Sequence, residues 1–417
     1  MSERASIVIP VLNGKRFLQA CLDALLPQVS SDSEVIVVDN GSTDGSADFV
    51  ADNYPTVRLI RNRWNLGFGG ACNIGLKAGK GDILILLNVD TRVRAGWLSA
   101  LTEALQKHEV GVAGCKILYP DGKTIQHAGG WIEWPLGLAH HYGQGERDTG
   151  QWDSPQQVEF VTGAAIGFRR EVMERVGYLD EGFFPIYFED TDYCLRVREA
   201  GFQIHYLPDS ILEHFESTSL TNTTLSMRYQ RGRLRFVLKH LAPERFLEEF
   251  VPAEEAYQPL AAMGKEGIPL RMAYLEAIYT APSILRQRWS ADEDTIQRVI
   301  AALQSLHQRV WEEKWVEVRE SIPSIGNETA LDAKGIGSSL VEEFEFTSTV
   351  PVIGPLIARL RSLWYSIAAQ WAVRHLAQQQ ALYIRSLAKR VEALSAENAY
   401  LIQELADLKQ HLDSCEE

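Results

Sequence analysis

The sequence predicts an α/β fold: a mostly parallel sheet with helices on both faces, followed by an all-α region and a C-terminal coiled coil. Three observations predict it. Up to about residue 215, short apolar segments alternate with segments of helical spacing, as in a parallel sheet covered on both sides. After His214 the spacing of apolar residues becomes helical throughout. From Ile384 onward, apolar residues follow a heptad repeat.

The first part of the chain, residues 1–225, is predicted to be one sheet domain. Its polar residues follow the apolar segments directly, and in open α/β sheets ligands bind beyond the carboxyl ends of the strands. The domain is therefore expected to carry the functional site. The strands are predicted at Ser6–Val11, Glu34–Asp39, Val57–Arg61 and Asp82–Leu87, and the helices at Asn13–Leu26, Ala47–Asn53 and Gly69–Ala78.

The rest of the chain is predicted to form three further parts. Residues 226–320 read as a helical domain that opens with a basic amphipathic helix, and Pro243 starts its second helix. Residues 321–350 contain Pro, Gly, Ser and Asn with weak periodicity, which is typical of a linker. Residues 351–417 are expected to hold an amphipathic helix and the coiled coil.

The heptad repeat predicts how two copies of the chain associate. A lone Asn398 at an a position favours a parallel dimer in register, so we expect a homodimer through residues 384–412. The alternative is a long amphipathic helix that packs on its own domain. One seam holds Ile384, Val391, Asn398, Leu405 and Leu412, and the other holds Leu387, Leu394, Leu401 and Leu408.

Composition excludes several classes of protein. The net charge of −14 argues against a nucleic-acid binder. Five scattered cysteines without a Cys-x-x-Cys pair suit a reducing compartment and give no zinc site. The N-terminus enters a strand without signal-peptide anatomy, and no apolar run approaches the roughly 20 residues that span a bilayer. We expect a cytoplasmic protein, or one peripheral on the inner face of the membrane.

Two motifs suggest a metal site. The apolar strand before Asn88 and Asp90 delivers both side chains to one face of the sheet edge. Asp90 suits a hard divalent cation such as Mn²⁺ or Mg²⁺, Asn88 offers a neutral oxygen, and His214 after a later strand adds an imidazole. The alternative for His214 is an ordinary hydrogen-bonded structural histidine.

The segment Phe184–Asp192 suggests a general base. An aromatic, apolar run ends in Glu189, Asp190 and Asp192, at the start of a predicted helix. Acids at a helix N-terminus are stabilised there by free N–H groups and the helix dipole. These carboxylates are therefore placed to take a proton from a substrate or to face a cation. The alternative is helix capping, a common role for acidic residues.

Two turns suggest contacts to a nucleotide. Asp39, at a strand end, can accept a hydrogen bond from a nucleotide base. The alternative is that Asp39–Asp44 is an ordinary turn between a strand and a helix of an α/β fold. Asn62–Asn73 is Gly-rich and begins a helix, so its N–H groups can receive phosphate. Its glycine spacing matches neither the Walker nor the Rossmann motif.

Six motifs together resemble family 2 glycosyltransferases, and in particular the bacterial rhamnosyltransferase-like branch. All occur in the order of the family, and nothing after about residue 245 is covered by the resemblance. It implies a GT-A fold, a nucleotide-sugar donor and inversion at the anomeric carbon. The motifs are Ser6–Asn13, Val37–Ser46, Asn65–Asn73, Leu86–Thr91, Gly163–Val172 and Phe188–Arg196.

The resemblance also implies roles for single residues. Asp190 matches the Asp of the Glu-Asp pair that serves as base, with Glu189 beside it. Asp90 matches the last Asp of the Asp-x-Asp motif, and His214 matches the later metal-site His. Asn88 departs from the family by replacing the first acid of that motif, which removes a negative charge near the cation. The nucleotide-binding candidates are Pro10, Asn13, Asp39, Asn40, Asn65, Gly67, Asn73 and Asn88.

The expected function is an inverting glycosyltransferase that moves a hexosyl group, such as rhamnosyl, from a nucleotide sugar to a hydroxyl of a glycan or lipid-linked acceptor. Cell-wall or polysaccharide biosynthesis is the corresponding process. The basic helix Arg228–Lys239 is expected to face a phosphorylated acceptor, an anionic membrane or solvent. The alternative function is a nucleotide-sugar-binding scaffold with little turnover, assembled through its coiled coil.

Overall fold

The structure, a computed structural model, describes residues 4–215, 222–263 and 267–321 of the chain. Its first elements confirm the strands and helices predicted from the sequence. Their ends differ from the prediction by a few residues at most. These elements are β1 (Ala5–Val11), α1 (Lys15–Leu25), β2 (Glu34–Asp39), α2 (Ser46–Asn53), β3 (Arg58–Arg61), α3 (Gly67–Ala78) and β4 (Ile83–Leu87).

Most strands in the second half of the described sheet domain have five residues or fewer, apart from Val110–Leu118 and Gln203–His214. Of these, the sequence predicted only the strand that ends at His214. Strands of two to four residues offer too few positions for a clear alternation of polar and apolar side chains. The elements are β5 (Thr91–Val93), α4 (Trp97–Leu105), β6 (Val110–Leu118), β7 (Ile125–His127), β8 (Gly130–Glu133), β9 (Leu138–His141), β10 (Gln156–Gln157), β11 (Ala165–Arg169), α5 (Arg170–Val176), α6 (Glu189–Glu199) and β12 (Gln203–His214).

Ten of these strands form one mixed sheet. Its order is β10-β12-β6-β11-β4-β1-β2-β3, with β5 beside β12 and β7 beside β6. Strands β1 to β4 pair in parallel, as predicted. Strand β11 is antiparallel to both of its neighbours, β4 and β6, so the prediction of a mostly parallel sheet is corrected to a mixed one. The remaining strands β8 and β9 form a separate antiparallel hairpin.

Helices cover both faces of the sheet, and each face has its own core. Along β1, Ile7 and Ile9 belong to the core under α1 and α4, whereas Val8 belongs to the core under α3. This alternation follows from the two-residue period of a strand. Helix α3 approaches the sheet closely, because a Cβ at Gly75 would lie 2.2 Å from Cγ1 of Val8. Glycine at this position therefore allows the helix to pack directly on β1.

A helical region follows the sheet and has a third core. Pro243 begins a new helix, as predicted. Helix α7 is shared, because its Phe236 belongs to a core of the sheet while Leu234 and Val237 belong to the helical core. The helices are α7 (Asn222–His240), α8 (Pro243–Arg245), α9 (Val251–Met263), α10 (Gly267–Trp289) and α11 (Glu293–Ser321), with a π-helical turn at Phe246–Phe250.

The described residues all belong to one compact unit. Within the described ranges, no helix is both long enough and apolar enough to cross a bilayer. The predicted linker beyond Ser321, the amphipathic helix and the coiled coil at 384–412 lie outside the described residues. The domain boundaries given above therefore stay predictions.

Candidate functional site

A cavity of about 410 Å³ lies where the ends of β4, β7, β9 and β12 meet the beginnings of α6 and α7. It brings together five predicted residues that are far apart in the sequence: Asn88, Asp90, Glu189, Asp190 and His214. The other predicted site residues do not line it. These are Pro10, Asn13, Asp39, Asn40, Asn65, Gly67 and Asn73.

Sheet register places Asp90 beside His214. Strand β5 begins one residue after Asp90, and its Thr91 pairs with His214 at the end of β12. The His214 Nε2 atom lies 3.2 Å from Oδ1 of Asp90. The other ring nitrogen, Nδ1, lies 2.8 Å from Oε1 of Gln126 on β7. The imidazole is thus held between a carboxylate and an amide oxygen.

The pair Asp90 and His214 fits one divalent cation. Two ligands at right angles, each about 2.1 Å from an ion, lie about 3 Å apart, close to the 3.2 Å between these two atoms. Among the residues that the structure describes, no three His, Cys, Asp or Glu side chains come together as a metal site. Asp90 and His214 would supply two of the ligands of such an ion, whose other positions are open to phosphate oxygens and water. Metal binding at this pair stays a prediction.

Asp190 is held in one orientation at the start of α6. The Gly163 N–H donates to Oδ2 over 2.6 Å, and the Thr191 N–H donates to Oδ1 over 2.7 Å. The Thr191 hydroxyl also donates to Oδ1, over 3.2 Å. Because Asp190 lines the cavity and is only half-buried, its carboxylate remains accessible to a substrate.

The turn that carries Asp190 is strained and is braced by α7. Tyr187 and Phe188 have φ values of 88° and 75°, in the left-handed region that side chains rarely adopt. Such residues cost about 1–3 kcal/mol each and persist where packing enforces them. The buried Phe188 ring lies 5.1 Å from Tyr229 and 5.5 Å from Phe236, both on α7. Helix α7 therefore fixes the backbone that positions the acidic turn.

Glu189 differs from Asp190 in its charge state. It is buried, and its Oε2 atom has no hydrogen-bond partner within the described part of the chain. Burial, together with the neighbouring Asp190 carboxylate, raises the pKa of Glu189 well above its usual value. Burial therefore favours the protonated form of Glu189, which can donate a hydrogen bond, over the ionised form. Its predicted catalytic role stays a prediction in this form.

Glu189→Gln is expected to flatten the pH dependence of stability. The pKa of Glu189 is raised in the folded state, so its stabilising contribution is present at low pH. That contribution is lost as pH rises from the unfolded-state pKa through the folded one. As pH rises above 4.5, the usual pKa of this carboxyl, the free energy of unfolding should fall less for the variant than for the wild type. Urea unfolding at a series of pH values measures this, with Glu174→Gln on the exposed face of α5 as control. Parallel curves for all three proteins would contradict it.

Asp192 has a structural role. Its fully buried carboxylate accepts hydrogen bonds from Arg196 and His240 over 2.8 Å each, and Nζ of Lys239 lies 2.7 Å away. Burial alone would raise the pKa of Asp192, but His240, Arg196 and Lys239 hold it well below its usual value. Because His240 and Lys239 belong to α7, this ionised carboxylate joins α6 to α7.

Asn40 organises the Gly-rich turn. Its amide donates to Oδ1 of Asn65 and to the Gly67 carbonyl, and its Oδ1 accepts from Asn62 and from the Leu66 N–H. These four bonds use the full capacity of a primary amide. Nucleotide binding by Asn40 and Asn65 stays a prediction. Because the Asn40 side chain has no free hydrogen-bonding capacity, it would act indirectly, by holding the Gly-rich turn in place.

Asp39 and Asn13 lie at the adjacent ends of β2 and β1. Asp39 is buried, its Oδ2 accepts a 3.4 Å bond from the Ser42 N–H, and its Oδ1 has no partner among the described residues. Asn13 accepts from the Thr43 N–H over 2.8 Å and so ties the two loops together. An unpartnered buried carboxylate oxygen is costly. This atom is therefore the feature of the loop that best fits a ligand hydrogen-bond donor.

Asn73 has its side-chain bonds inside the protein. Its amide donates to the Leu179 carbonyl and to Glu181, and its Oδ1 accepts from the Leu179 N–H. Asn73 thus anchors the segment that leads into the acidic turn, and nucleotide binding by its side chain stays a prediction.

Comparison with known proteins agrees with this geometry. The sequence profile described as glycosyl transferase family 2 matches residues 6–177. The N-acetylglucosaminyl-diphospho-decaprenol L-rhamnosyltransferase of Mycobacterium tuberculosis is 30% identical over 207 residues, which cover 44% of this chain and 67% of that relative. The chain belongs to glycosyl transferase family 2. Its mixed sheet with helices on both faces is consistent with the GT-A fold that the resemblance implied.

Other similarities to this family 2 chain are more partial. The O-antigen biosynthesis protein RfbC of Myxococcus xanthus is 31% identical over 226 residues, or 52% of this chain. The chain spans only 18% of that relative and 30% of another. A crystal structure of GalNAc-T7 with UDP, GalNAc and Mn²⁺ is 18% identical, with a TM-score of 0.49 over 61% of this chain and 52% of that one. A likeness at this level supports no argument about ligands.

The family 2 domain also contains site residues that the sequence analysis missed. Gln126 contacts His214, and Nδ1 of His127 lies 2.8 Å from Nδ1 of His141, all in the cavity wall. Burial lowers the pKa of both His127 and His141, so both rings are neutral near pH 7. The only sequence feature that could have indicated these residues is the pair of adjacent polar residues Gln126 and His127. They lie in a strand of three residues, which is too short to be predicted from periodicity.

The basic helix α7 corrects a further expectation. Its cations were expected to face an acceptor, a membrane or solvent, but four of them pair with acids of the protein. Arg228 instead lines the cavity. The pairs are Arg231 with Glu276, Arg233 with Glu254, Arg235 with Asp180, and Lys239 with Asp180 and Asp192.

Proposed function

We propose that this protein is an inverting glycosyltransferase that moves a sugar from a nucleotide-sugar donor to a hydroxyl of a glycan or lipid-linked acceptor. One observation carries the proposal. The accessible, oriented carboxylate of Asp190 lies in the same cavity as the convergent pair Asp90 and His214. Sugar transfer from a nucleoside diphosphate uses a base that accepts the proton of the acceptor hydroxyl and a cation that neutralises the leaving phosphates. The cavity contains candidate residues for both roles.

The reaction uses a single base. Asp190 takes the proton of the acceptor hydroxyl as its oxygen attacks the anomeric carbon. The new carbon–oxygen bond forms on the face opposite the bond to the diphosphate. That bond breaks, and its electron pair leaves with the nucleoside diphosphate. A glycosidase needs an additional acid for its poorer leaving group, whereas a diphosphate leaves once its charge is neutralised.

Asp90 and His214 are the residues that would hold a divalent cation, Mn²⁺ or Mg²⁺. Such an ion, when bound, supplies positive charge to the phosphate oxygens that become more negative as the sugar leaves. Asn88 lies beside them in the cavity and contributes an amide where the family has a carboxylate. The lower negative charge favours a cation that relies on the donor phosphates for its remaining ligands.

Arg228 supports an anionic substrate. Its side chain lines the cavity, whereas the other cations of α7 named above pair with acids. The relative from M. tuberculosis is named for a diphospho-lipid acceptor and for rhamnosyl transfer. A diphosphate-linked acceptor and a rhamnosyl donor are therefore part of the proposal. Pairing of two copies through residues 384–412, and peripheral contact with the inner face of the membrane, belong to it as well.

The donor is identified by a thermal-shift screen. The full chain is heated with Mn²⁺ and UDP-, GDP- or dTDP-sugars, and a donor at about 100 times its Kd adds about 2.7 kcal/mol of stability. Release of nucleoside diphosphate is then measured with and without Mn²⁺. Stabilisation followed by turnover supports the transferase. Stabilisation without turnover supports the scaffold function instead. Asn88, which replaces a carboxylate of the family motif, is the reason to test that alternative. Failure of every nucleotide sugar to bind would contradict both.

Asp39→Ala is expected to weaken nucleotide binding. The buried Oδ1 of Asp39 has no partner in the described chain, so a base N–H that reaches it would form a charge-assisted hydrogen bond. Loss of such a bond costs about 1.5–3 kcal/mol. Titration calorimetry with the nucleotide selected by the screen measures the change. Asp52→Ala, on the exposed face of α2, removes an equal charge and should leave the Kd unchanged. Equal Kd values for both variants would remove Asp39 from the nucleotide site.

A further inference from the structure

Strand β7 carries a polar residue that contacts the proposed metal site without being placed to bind the metal itself. Gln126 is buried, and its Oε1 atom lies 2.8 Å from Nδ1 of His214. An amide oxygen has lone pairs and no hydrogen, so it can only accept. The Nδ1 atom of His214 must therefore carry the hydrogen of this bond.

This hydrogen bond determines whether the other ring nitrogen of His214, Nε2, carries a hydrogen or a lone pair. A neutral imidazole with its hydrogen on Nδ1 has a lone pair on Nε2. That atom lies 3.2 Å from Oδ1 of Asp90, which is also an acceptor. Two acceptors at this distance repel each other unless a proton or a metal cation lies between them. By favouring the Nδ1–H tautomer, Gln126 leaves Nε2 of His214 and Oδ1 of Asp90 as two facing acceptors that can bind a cation between them.

The backbone of β7 is irregular at this residue. Against β6, His127 pairs with Ile117 and Ile125 pairs with Leu118, so Gln126 is the extra residue of a β-bulge. Bulges redirect a side chain and are frequent next to active sites. A regular β7 would place Gln126 opposite Leu118 instead. The bulge is therefore the local feature that accompanies the contact with His214.

We propose that Gln126 is a positioning residue that fixes His214 in the Nδ1–H tautomer, so that Nε2 is available to a divalent cation together with Asp90. This inference rests on the proposed glycosyltransferase function. Because Asn88 contributes no charge, a correctly oriented imidazole is more important here than beside two carboxylates. Partners of this kind typically change metal affinity about 10- to 100-fold.

The tautomer is measured directly by NMR on the full chain labelled with ¹⁵N-histidine. At mildly alkaline pH, the His214 signals, identified by their loss in His214→Asn, should show a protonated Nδ1 and an unprotonated Nε2. In Gln126→Leu this preference should be lost. Gln126→Glu keeps an acceptor at the same place and should restore it. Gln157→Leu, on the exposed side of β10, makes the same chemical change without a contact to His214 and should leave the signals unchanged.

Metal affinity is measured separately from activity. Electron paramagnetic resonance of free Mn²⁺, with the protein and inorganic pyrophosphate as the phosphate source, gives the Kd of each variant. Gln126→Leu should raise it about 10- to 100-fold, and Gln126→Glu should bring it back towards the wild-type value. Far-UV circular dichroism checks that every variant is folded, and if Gln126→Leu is unfolded, Gln126→Asn replaces it.

The outcomes separate this inference from the proposed function. An unchanged His214 tautomer and an unchanged Mn²⁺ Kd in folded Gln126→Leu would overturn the role of Gln126, even if the protein transfers sugar. The expected tautomer and Kd changes in a protein that turns over no nucleotide sugar would support the role of Gln126 and contradict the transferase.

Discussion

Asp190→Asn lowers the rate of sugar transfer by about 10²–10⁴, the usual cost of removing a general base, and leaves nucleotide binding nearly intact. The amide has the size of the carboxylate, but its single oxygen can accept from only one of the two backbone donors, the Gly163 N–H or the Thr191 N–H. It cannot take the proton of the acceptor hydroxyl. Release of nucleoside diphosphate in the presence of acceptor measures the rate, and thermal shift with the same donor measures binding.

Asp192→Asn is the matched control for this experiment. Asp192 lies two residues further along the same helix, and it is fully buried among Arg196, His240 and Lys239 rather than in the cavity wall. The same change of charge should therefore lower the thermal midpoint more than it lowers the rate of the folded protein. Turnover of Asp190→Asn close to that of the wild type would rule out Asp190 as the base.

Arg233→Met is expected to destabilise the protein by about 3–5 kcal/mol, because it leaves a buried charge without its partner. Arg233 and Glu254 are both fully buried, and the guanidinium donates to both carboxylate oxygens. It also donates to Gln230 and to the Leu136 carbonyl, so it connects α7 with α9 and with the loop after β8. Urea unfolding followed by circular dichroism measures the free energy of unfolding.

Two further variants separate burial from charge. Arg231 lies on α7 with Arg233 and pairs with Glu276 of α10, and both of these side chains are partly exposed. Arg231→Met should therefore cost about 1 kcal/mol or less. The double variant Arg233→Met, Glu254→Leu removes both buried charges and should be more stable than Arg233→Met alone. Equal losses for Arg231→Met and Arg233→Met would contradict the buried pair.

Much of the fold was predictable because its signals are local. The strands β1, β2 and β4 are continuous apolar runs, and the polar residues after them mark the sheet edge where ligands bind. Most of the later strands are short, and β11 runs antiparallel between β4 and β6, which no local pattern indicates. The corrected sheet topology therefore came from pairing between segments that are distant in the sequence.

The candidate site shows the same division. The motifs singled out Asp90, Asp190 and His214, and the structure places all three in one cavity. The family resemblance singled out Asp190 as the base, but residue type alone does not distinguish Glu189, Asp190 and Asp192. Their environments distinguish them. Glu189 is buried, and its Oε2 atom has no hydrogen-bond partner among the described residues. Asp190 faces the cavity, and the charge of Asp192 is neutralised by cations that include residues of α7.

The sequence by itself determined the family, the order of the first strands and helices, and which residue types stand at the strand ends. These depend on periodicity and turn chemistry within short segments. Tertiary structure alone decided that burial raises the pKa of Glu189, that Asp192 joins α6 to α7, and that Gln126 contacts His214. Burial and contacts between distant segments arise only when the elements pack, so no local pattern contains them.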